Sequence, residues 1–436
     1  MSGPPQRGVA ARLASRLLNA VAYRRVQLVG GLLLSALPAL IRWPSRGGET
    51  HLFELSLSPP DQGITNALIG GVFATLLGFI TLRQLKTHPG VASVGYVFYA
   101  FAMTYGGLSL LLLFLRADYS RYQLITSFAL TLIWFLFTDI ITTRRTRLAV
   151  GLIPSLGFRP PPSSPRIDWV YLTEPQIDTE RFGSVVADFR AELPAEWVRF
   201  VARCALAGLP VYDIRQIRES TTGRVEIEHL SENTLGATLH GLVYARLKRG
   251  LDLLGVLLAT PFALIILAFA VVAIRAEGGG PALFTQRRMG YQGREFTIFK
   301  LRTMRVEGER RGQQFTRQND PRITAVGKYL RKYRIDEIPQ IWNILKGEMS
   351  WIGPRPEAVA LSEWYEREVP FYSYRHMVRP GISGWAQVNQ GNVAKIGAAT
   401  DKLHYDFYYI KHMSPWLDLL ITAKTIQTVL TGFGAL

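Results

Sequence analysis

The chain has 436 residues, 48% of them hydrophobic, and a formal net charge of +17 at neutral pH. The length leaves room for two or three domains, and a composition both apolar and basic argues for an anionic partner at a lipid surface and against a soluble nucleic-acid binder. A single cysteine, Cys204, rules out a disulfide framework and a thiolate metal cluster and suits a reducing compartment.

Residues 1–25 are polar and basic, with Arg12, Arg16, Arg24 and Arg25, and no small-residue cleavage pattern marks a removable signal before the first apolar run. Four apolar runs follow, at about 26–41, 65–82, 91–115 and 123–142. Their lengths and the scarcity of interrupting charges predict a membrane bundle rather than buried helices of a soluble core. The loop at 42–64 carries Glu49, Glu54 and Asp61 against Arg42 and Arg46, whereas the loop after the second run has Arg83 and Lys86 and the fourth run exits into Arg144, Arg145 and Arg147. The positive-inside rule then places both ends of the bundle in the cytoplasm.

The Pro- and Ser-rich stretch at 148–165 reads as a linker. Beyond it, 169–172 and 209–214 read as short strands with helical spacing at 180–206 between them, which predicts a small α/β domain. No Gly-rich phosphate loop follows its first strand, so a structural or regulatory role is expected. At Lys248 the chain turns apolar again, up to Arg275. Length alone permits a fifth spanning helix. However, both flanks are basic, and Thr260–Pro261 lies near the middle, where proline removes a backbone donor and kinks a helix. A helix that enters the bilayer, bends there and returns to the same face is the alternative that fits both facts. The domains expected are thus 1–147, 148–240 and 241–436.

The chemistry concentrates at 331–357. Asp336 and Glu337 are adjacent, behind Arg331, Lys332 and Arg334, and Arg355 is fixed between Pro354 and Pro356 after Gly353. Neighbouring residues on a helix point about 100° apart, so the pair cannot face each other as a glycosidase acid and base. One carboxylate can instead attack phosphorus while the other holds a divalent cation such as magnesium, which favours oxygen ligands and bridges carboxylates to phosphates. The bland alternative is a solvated helix start, where acids complement the macrodipole. Arginine suits bidentate phosphate contact, so Arg331, Arg334 and Arg355, with Lys300, Arg302 and Arg379, are candidate phosphate ligands or plain surface charges. The seven histidines show no metal-ligand spacing. The segment 405–426 is amphipathic and rich in Tyr and Trp, which suit either a headgroup zone or core packing.

The segments FKLRTM, DPRITAVGKYLRKYRIDEIPQIWNILKGEMSWIGPRPE, RPGISGWAQVN and YDFYYIKHMSPWLDL closely resemble the bacterial sugar transferases, the monotopic polyprenyl-phosphate hexose-1-phosphate (phosphoglycosyl) transferases. The resemblance covers about 248–436, and by layout alone the preceding part is similar to the long members of that family. It implies a membrane protein of mixed class. This comprises a four-helix transmembrane bundle, a small α/β, Rossmann-like middle domain, a re-entrant membrane helix broken at Thr260–Pro261, and a mostly helical α+β catalytic domain. It implies transfer of a sugar 1-phosphate from a UDP-sugar to undecaprenyl phosphate with release of UMP, initiating an exopolysaccharide, capsule or O-antigen. Asp336 would be the nucleophile, Glu337 would help to hold Mg2+, and Arg331 and Arg355 would lie at the substrate phosphates. The site would face the cytoplasm at the inner membrane, and the long members resemble homodimers. Asp406 and Asp418 fall in the family's C-terminal acidic motif, with Asp418 a weaker site candidate. The missing Gly-rich turn puts a complete Rossmann-like unit in doubt. Two other classes remain in view, a non-catalytic membrane scaffold and a glycosyltransferase moving the sugar alone. The intact Asp336–Glu337 and Arg355 argue against the first, and the lack of an Asp-x-Asp ligand pair argues against the second.

Overall fold

A computed structural model describes residues 23–42, 54–55, 62–86, 95–145, 148–154, 167–176, 182–225, 239–305, 320–390 and 396–431. The basic tail before residue 23, most of the 42–64 loop and the Pro-rich stretch at 155–166 lie outside them. The chain divides into two compact units, Met1–Thr222 and Gly223–Leu436.

The first unit opens with four helices, α1 (Arg24–Ala36), α2 (Gln62–Leu85), α3 (Gly95–Phe114) and α4 (Arg121–Arg145). Three of them are long and apolar enough to cross a membrane. The first apolar run gives only 13 helical residues and a 3-10 turn, Leu37–Leu40, a combined length of about 27 Å. The helices run up and down. At one end Ser120 donates its N–H to the Gly63 carbonyl. At the other Lys86 pairs with Asp139, and Arg83 donates to Gln27. Between these layers the Tyr105 hydroxyl bonds Ser127 at 2.8 Å and Thr75 at 2.9 Å. Interhelical hydroxyl bonds of this kind hold helices together where lipid offers no hydrophobic drive.

The same unit carries a four-stranded parallel sheet of β1 (Leu148–Leu152), β2 (Ile167–Tyr171), β3 (Ser184–Ala187) and β4 (Val211–Asp213), in the order β2-β1-β3-β4. Helix α5 (Ala195–Leu206) packs Trp197, Phe200 and Cys204 on one face. Ile214 and Ile217 of α6 (Ile214–Thr222) cover the other. Two expectations need correction. The central strand β1 lies inside the stretch read as a linker, because a five-residue run against Gly- and Pro-rich sequence carries too little periodicity to stand out. The helical reading of 180–206 divides into strand β3 and helix α5, separated by Pro194, which suits a helix start.

The second unit begins with α7 (Leu239–Glu277), 39 residues continuous through Pro261, so the break expected at Thr260–Pro261 does not interrupt the helix, which is long and apolar enough to cross a membrane. Thr260 Oγ1 donates to the Val256 carbonyl at 2.6 Å, beside the carbonyl that proline leaves without its backbone partner. Both ends of the helix are held by the same body. Val256 packs with Phe296, Ile298, Ile344 and Met349. Ala270 and Ile274 pack with Ala282, Leu301 and Leu330. The stretch between is bare and apolar, with Leu257 71% and Phe269 75% exposed. The hairpin β5 (Leu283–Met289) and β6 (Glu295–Leu301) follows as an antiparallel ladder. Then come α8 (Ala325–Lys332), a 3-10 turn at Ile335–Gln340, α9 (Ile341–Lys346) and β7 (Ser350–Ile352), which pairs in parallel with β8 (Gly381–Ser383). Helices α10 (Val359–Glu368), α11 (Trp385–Gln390), α12 (Ile396–Lys411) and α13 (Pro415–Thr431) complete the unit. Gly353 and Gly381 pack backbone on backbone, and a Cβ on Gly381 would lie 2.1 Å from the Gly353 nitrogen, which is why the two turns need glycine there.

Candidate active site

Asp336 and Glu337 sit in the 3-10 turn between α8 and α9. Arg334 enters that turn in the left-handed region, φ 54° and ψ 26°, a conformation that L side chains rarely adopt. Glu337 points inward, 5% exposed, and its Oε1 accepts from Lys300 Nζ and from Arg355 Nη2, each at 2.9 Å. Arg334 stands 3.8 Å from Oε2. Lys300 arrives from β6. Arg355 is presented by the turn after β7, and that turn is itself tied down. Met289 donates its N–H to the Glu357 carbonyl at 3.0 Å, and Arg375 Nη2 donates to the Arg355 carbonyl at 2.8 Å.

The electrostatics separate the two carboxylates. Burial pushes Glu337 upward, and the charges of Arg355, Lys300 and Arg334 more than reverse it, so it stays ionised well below the usual range. Burial and the neighbouring Glu337 charge push Asp336 the other way, to about 6, against the opposing Lys300, Arg331 and Arg355. Glu337 is therefore a fixed anion clamped by cations. Asp336 is the less encumbered partner: among the described residues it has no hydrogen bond or ion pair. A half-buried carboxylate without donors keeps electron pairs that are not already engaged. Three cations around it can hold a phosphoryl group and spread its negative charge.

Arg331 flanks this pair, its Nε donating to Thr303 Oγ1 at 2.9 Å. Other candidates lie apart from the dyad. Arg302 is buried, and its guanidinium donates to the carbonyls of Gly279, Gly278 and Ile274 at 2.7, 2.9 and 3.3 Å, closing the carboxyl end of α7. Arg379 Nε donates to the Gly347 carbonyl at 3.0 Å, with its guanidinium over the Tyr291 ring. Asp418 accepts from Tyr244 and Tyr409 at 2.7 and 2.9 Å and pairs with Lys248, fastening α7 to α12 and α13.

The comparisons with known proteins meet this geometry from outside. A family model described as bacterial sugar transferase matches residues 243–432. Over 409 residues, 93% of this chain and 94% of the relative, the chain is 44% identical to the UDP-N-acetylgalactosamine-undecaprenyl-phosphate N-acetylgalactosaminephosphotransferase of Aeromonas hydrophila. The chain belongs to the bacterial sugar transferase family. A shorter stretch also matches the UDP-glucose:undecaprenyl-phosphate glucose-1-phosphate transferase of Escherichia coli K12, at 40% over 186 residues, 41% of this chain and 39% of that one. The corresponding enzyme of Xanthomonas campestris is 44% identical over 170 residues, 38% of this chain and 35% of that one.

In this sugar transferase a second layer of charge lies behind the Pro-Arg-Pro turn, and sequence reading passed over most of it. Arg375 is buried, bonds the Tyr372 hydroxyl at 2.5 Å and pairs with Asp406 at 2.9 Å. Glu357 pairs with Lys402 and stands 4.0 Å from Arg288. Burial raises the Glu357 carboxyl, but Lys402, Arg375 and Arg288 hold it low. The only signal in the sequence is a pair of charges in otherwise apolar stretches, Arg375 among tyrosines and Asp406 in YDFYY. Such residues are rarely buried unless paired.

One oxygen of the dyad has the chemistry of a divalent-cation ligand. Glu337 Oε2 is buried and has no hydrogen-bond partner, and an orphaned carboxylate oxygen is a ready ligand for a hard cation. Among the described residues no group of three or more histidine, cysteine or acidic side chains converges as a metal cage. A magnesium ion here would thus complete its oxygen shell with substrate phosphates.

Proposed function

We propose that the chain transfers a sugar 1-phosphate from a UDP-sugar to undecaprenyl phosphate by way of a covalent intermediate on Asp336. The observation that carries this reading is the division of the dyad, with Glu337 clamped by Lys300 and Arg355 and Asp336 left without a hydrogen bond or ion pair among the described residues. An Asp336 carboxylate oxygen attacks the sugar-bearing phosphorus of the donor, the bond to the bridging oxygen breaks, and UMP leaves with that electron pair. An oxygen of the lipid phosphate then attacks the same phosphorus, the acyl phosphate bond breaks, and the Asp336 carboxylate is regenerated. Arg355, Arg331 and Lys300 hold the phosphoryl oxygens in line. Asp336 and Glu337 Oε2 would hold Mg2+, which supplies charge neutralisation at the diphosphate.

The grip of one body on both arms of α7 supports a helix that returns to the face it entered. Only about ten residues separate Val256 from Leu267, roughly 16 Å of helix, against a hydrocarbon core of about 30 Å. This reading puts the catalytic unit on the cytoplasmic face of the inner membrane. The basic end of the four-helix bundle, with Arg24, Arg83, Lys86 and Arg144, supports the same side for the bundle's termini. The similarity in layout to long, dimeric members supports a homodimer, which the mass of the solubilised complex tests.

The deciding experiment is nucleotide release from purified membranes given UDP-N-acetylgalactosamine first, because of the full-length relative, and then other UDP-sugars. UMP appearing only with undecaprenyl phosphate and magnesium is the expected outcome. UDP release would overturn the reaction class. Asp336→Asn is expected to abolish turnover and the donor-derived phosphosugar label on the protein, and retained activity in that variant would remove Asp336 as nucleophile.

A further inference from the structure

Two short helical segments flank the dyad, and each stands beside one arm of α7. On α8, Val326 and Leu330 face the carboxyl arm with Ala270 and Ile274, and the Val326 N–H is accepted by Glu277 at 3.1 Å. On α9, Ile341 and Ile344 face the amino arm with Val256, and Arg249 donates to the Ile344 carbonyl at 2.6 Å. Their opposite faces are unlike ordinary polar helix surfaces. Lys328, Tyr329, Lys332 and Tyr333 are exposed on the first, and Trp342, Leu345 and Lys346 on the second. The cations lie over the rings, with Lys332 Nζ 5.3 Å from the Tyr333 centroid and Lys346 Nζ 5.9 Å from that of Trp342. No acidic residue occurs in 325–335 or in 341–347. Arg246 and Arg275, exposed on the two arms, continue the positive charge.

We propose that these faces form an aromatic and cationic collar that takes the headgroups of anionic phospholipids and so fixes the depth of Asp336 and Glu337 at the membrane interface. Three observations carry it. The collar is continuous with the bare apolar stretch of α7, whose Leu257, Phe262 and Phe269 are each more than two-thirds exposed. Tyrosine and tryptophan are amphipathic and settle at headgroup level. Each lysine near an anionic surface is attracted to it, and here no acid among the same residues offsets it. A second protein chain is a poorer occupant, because lysines are depleted at protein interfaces and here they lie over Tyr333 and Trp342, two of the three exposed rings of the patch. The inference does not depend on the sugar-transfer reaction.

The test uses the full chain in nanodiscs and its tryptophan fluorescence. The chain has nine tryptophans, so the Trp342 signal is taken as the difference between the wild type and Trp342→Phe. Brominated phosphatidylglycerol and brominated phosphatidylcholine are compared at equal mole fraction. Quenching of Trp342 about two-fold stronger by the anionic lipid is expected, and the double variant Lys332→Gln, Lys346→Gln should equalise the two. Equal quenching by both lipids in the wild type would overturn headgroup selection. No quenching by either would place Trp342 against protein or water and overturn the collar itself. Because the readout is optical, a failure here leaves the transfer reaction standing, and absence of UMP release leaves the collar standing.

Discussion

Asp336 and Glu337 are one peptide bond apart yet live in different electrostatic surroundings. Burial and the Glu337 charge raise Asp336 to about 6, whereas Glu337 is held ionised by Arg355 and Lys300. Because Asp336 must be deprotonated to attack, the acid limb of kcat/KM should titrate near pH 6, activity falling as pH drops through it. Arg331 lowers the Asp336 value, so Arg331→Gln should move that limb to higher pH. Single-turnover labelling of the protein at a series of pH values checks both statements, and an unmoved limb would separate Arg331 from Asp336. At this scale the sequence showed the acids, the basic cluster and the rigid Pro-Arg-Pro turn. It could not show which carboxylate is clamped, because that depends on Lys300, which lies 36 residues upstream on a strand. Arg302 stands in the same motif as Lys300, but its partners are the carbonyls of Ile274, Gly278 and Gly279. Spacing in a strand tells which side a residue faces and not what waits there.

At the scale of elements, Arg302 closes the last turn of α7. Helix ends leave carbonyls without partners, and one guanidinium bonds that of Ile274 in the last turn together with those of Gly278 and Gly279 just beyond it. Arg302→Met should lower the thermal midpoint by the equivalent of about 2–3 kcal/mol and speed amide exchange over 274–279, with little change in the donor KM. A large donor KM effect with no loss of stability would return Arg302 to the substrate site. The elements that escaped the sequence were short ones. β1 and β3 have five and four residues, and each is buried on both faces, so neither shows the alternation that marks a half-exposed strand. Long apolar helices were legible because a bilayer needs an unbroken run. Even there, length alone left α7 ambiguous between a span and a return, because its apolar run is long enough to cross a membrane and Pro261 does not interrupt the helix.

For the whole molecule, the proposed return of α7 makes a prediction about sidedness. Arg246 lies in the amino arm of α7 before its bare apolar stretch and Gly278 just past its carboxyl end, and both are exposed. With buried Cys204 as the only native cysteine, Arg246→Cys and Gly278→Cys can each report their side of the membrane. Both should label with an impermeant maleimide only after the inner membrane is opened. Labelling of Gly278→Cys alone from outside would make α7 a plain span. A membrane bundle and a small α/β domain were readable from composition and patterning, whereas the helical catalytic body followed only from the family resemblance. The second layer behind Arg355 was not, since Arg375, Asp406, Glu357 and Lys402 come from four places in the chain and only the fold brings them together.

Arg334 sets stability against function. It holds a left-handed backbone immediately before the dyad, which for an L side chain costs on the order of 1–2 kcal/mol, while its guanidinium faces Glu337. Glycine would adopt the same conformation without strain. Arg334→Gly should therefore unfold at a higher temperature than the wild type and turn over more slowly. Selection for robustness alone would favour glycine at this position; the arginine found there trades that stability for a positive charge beside Glu337.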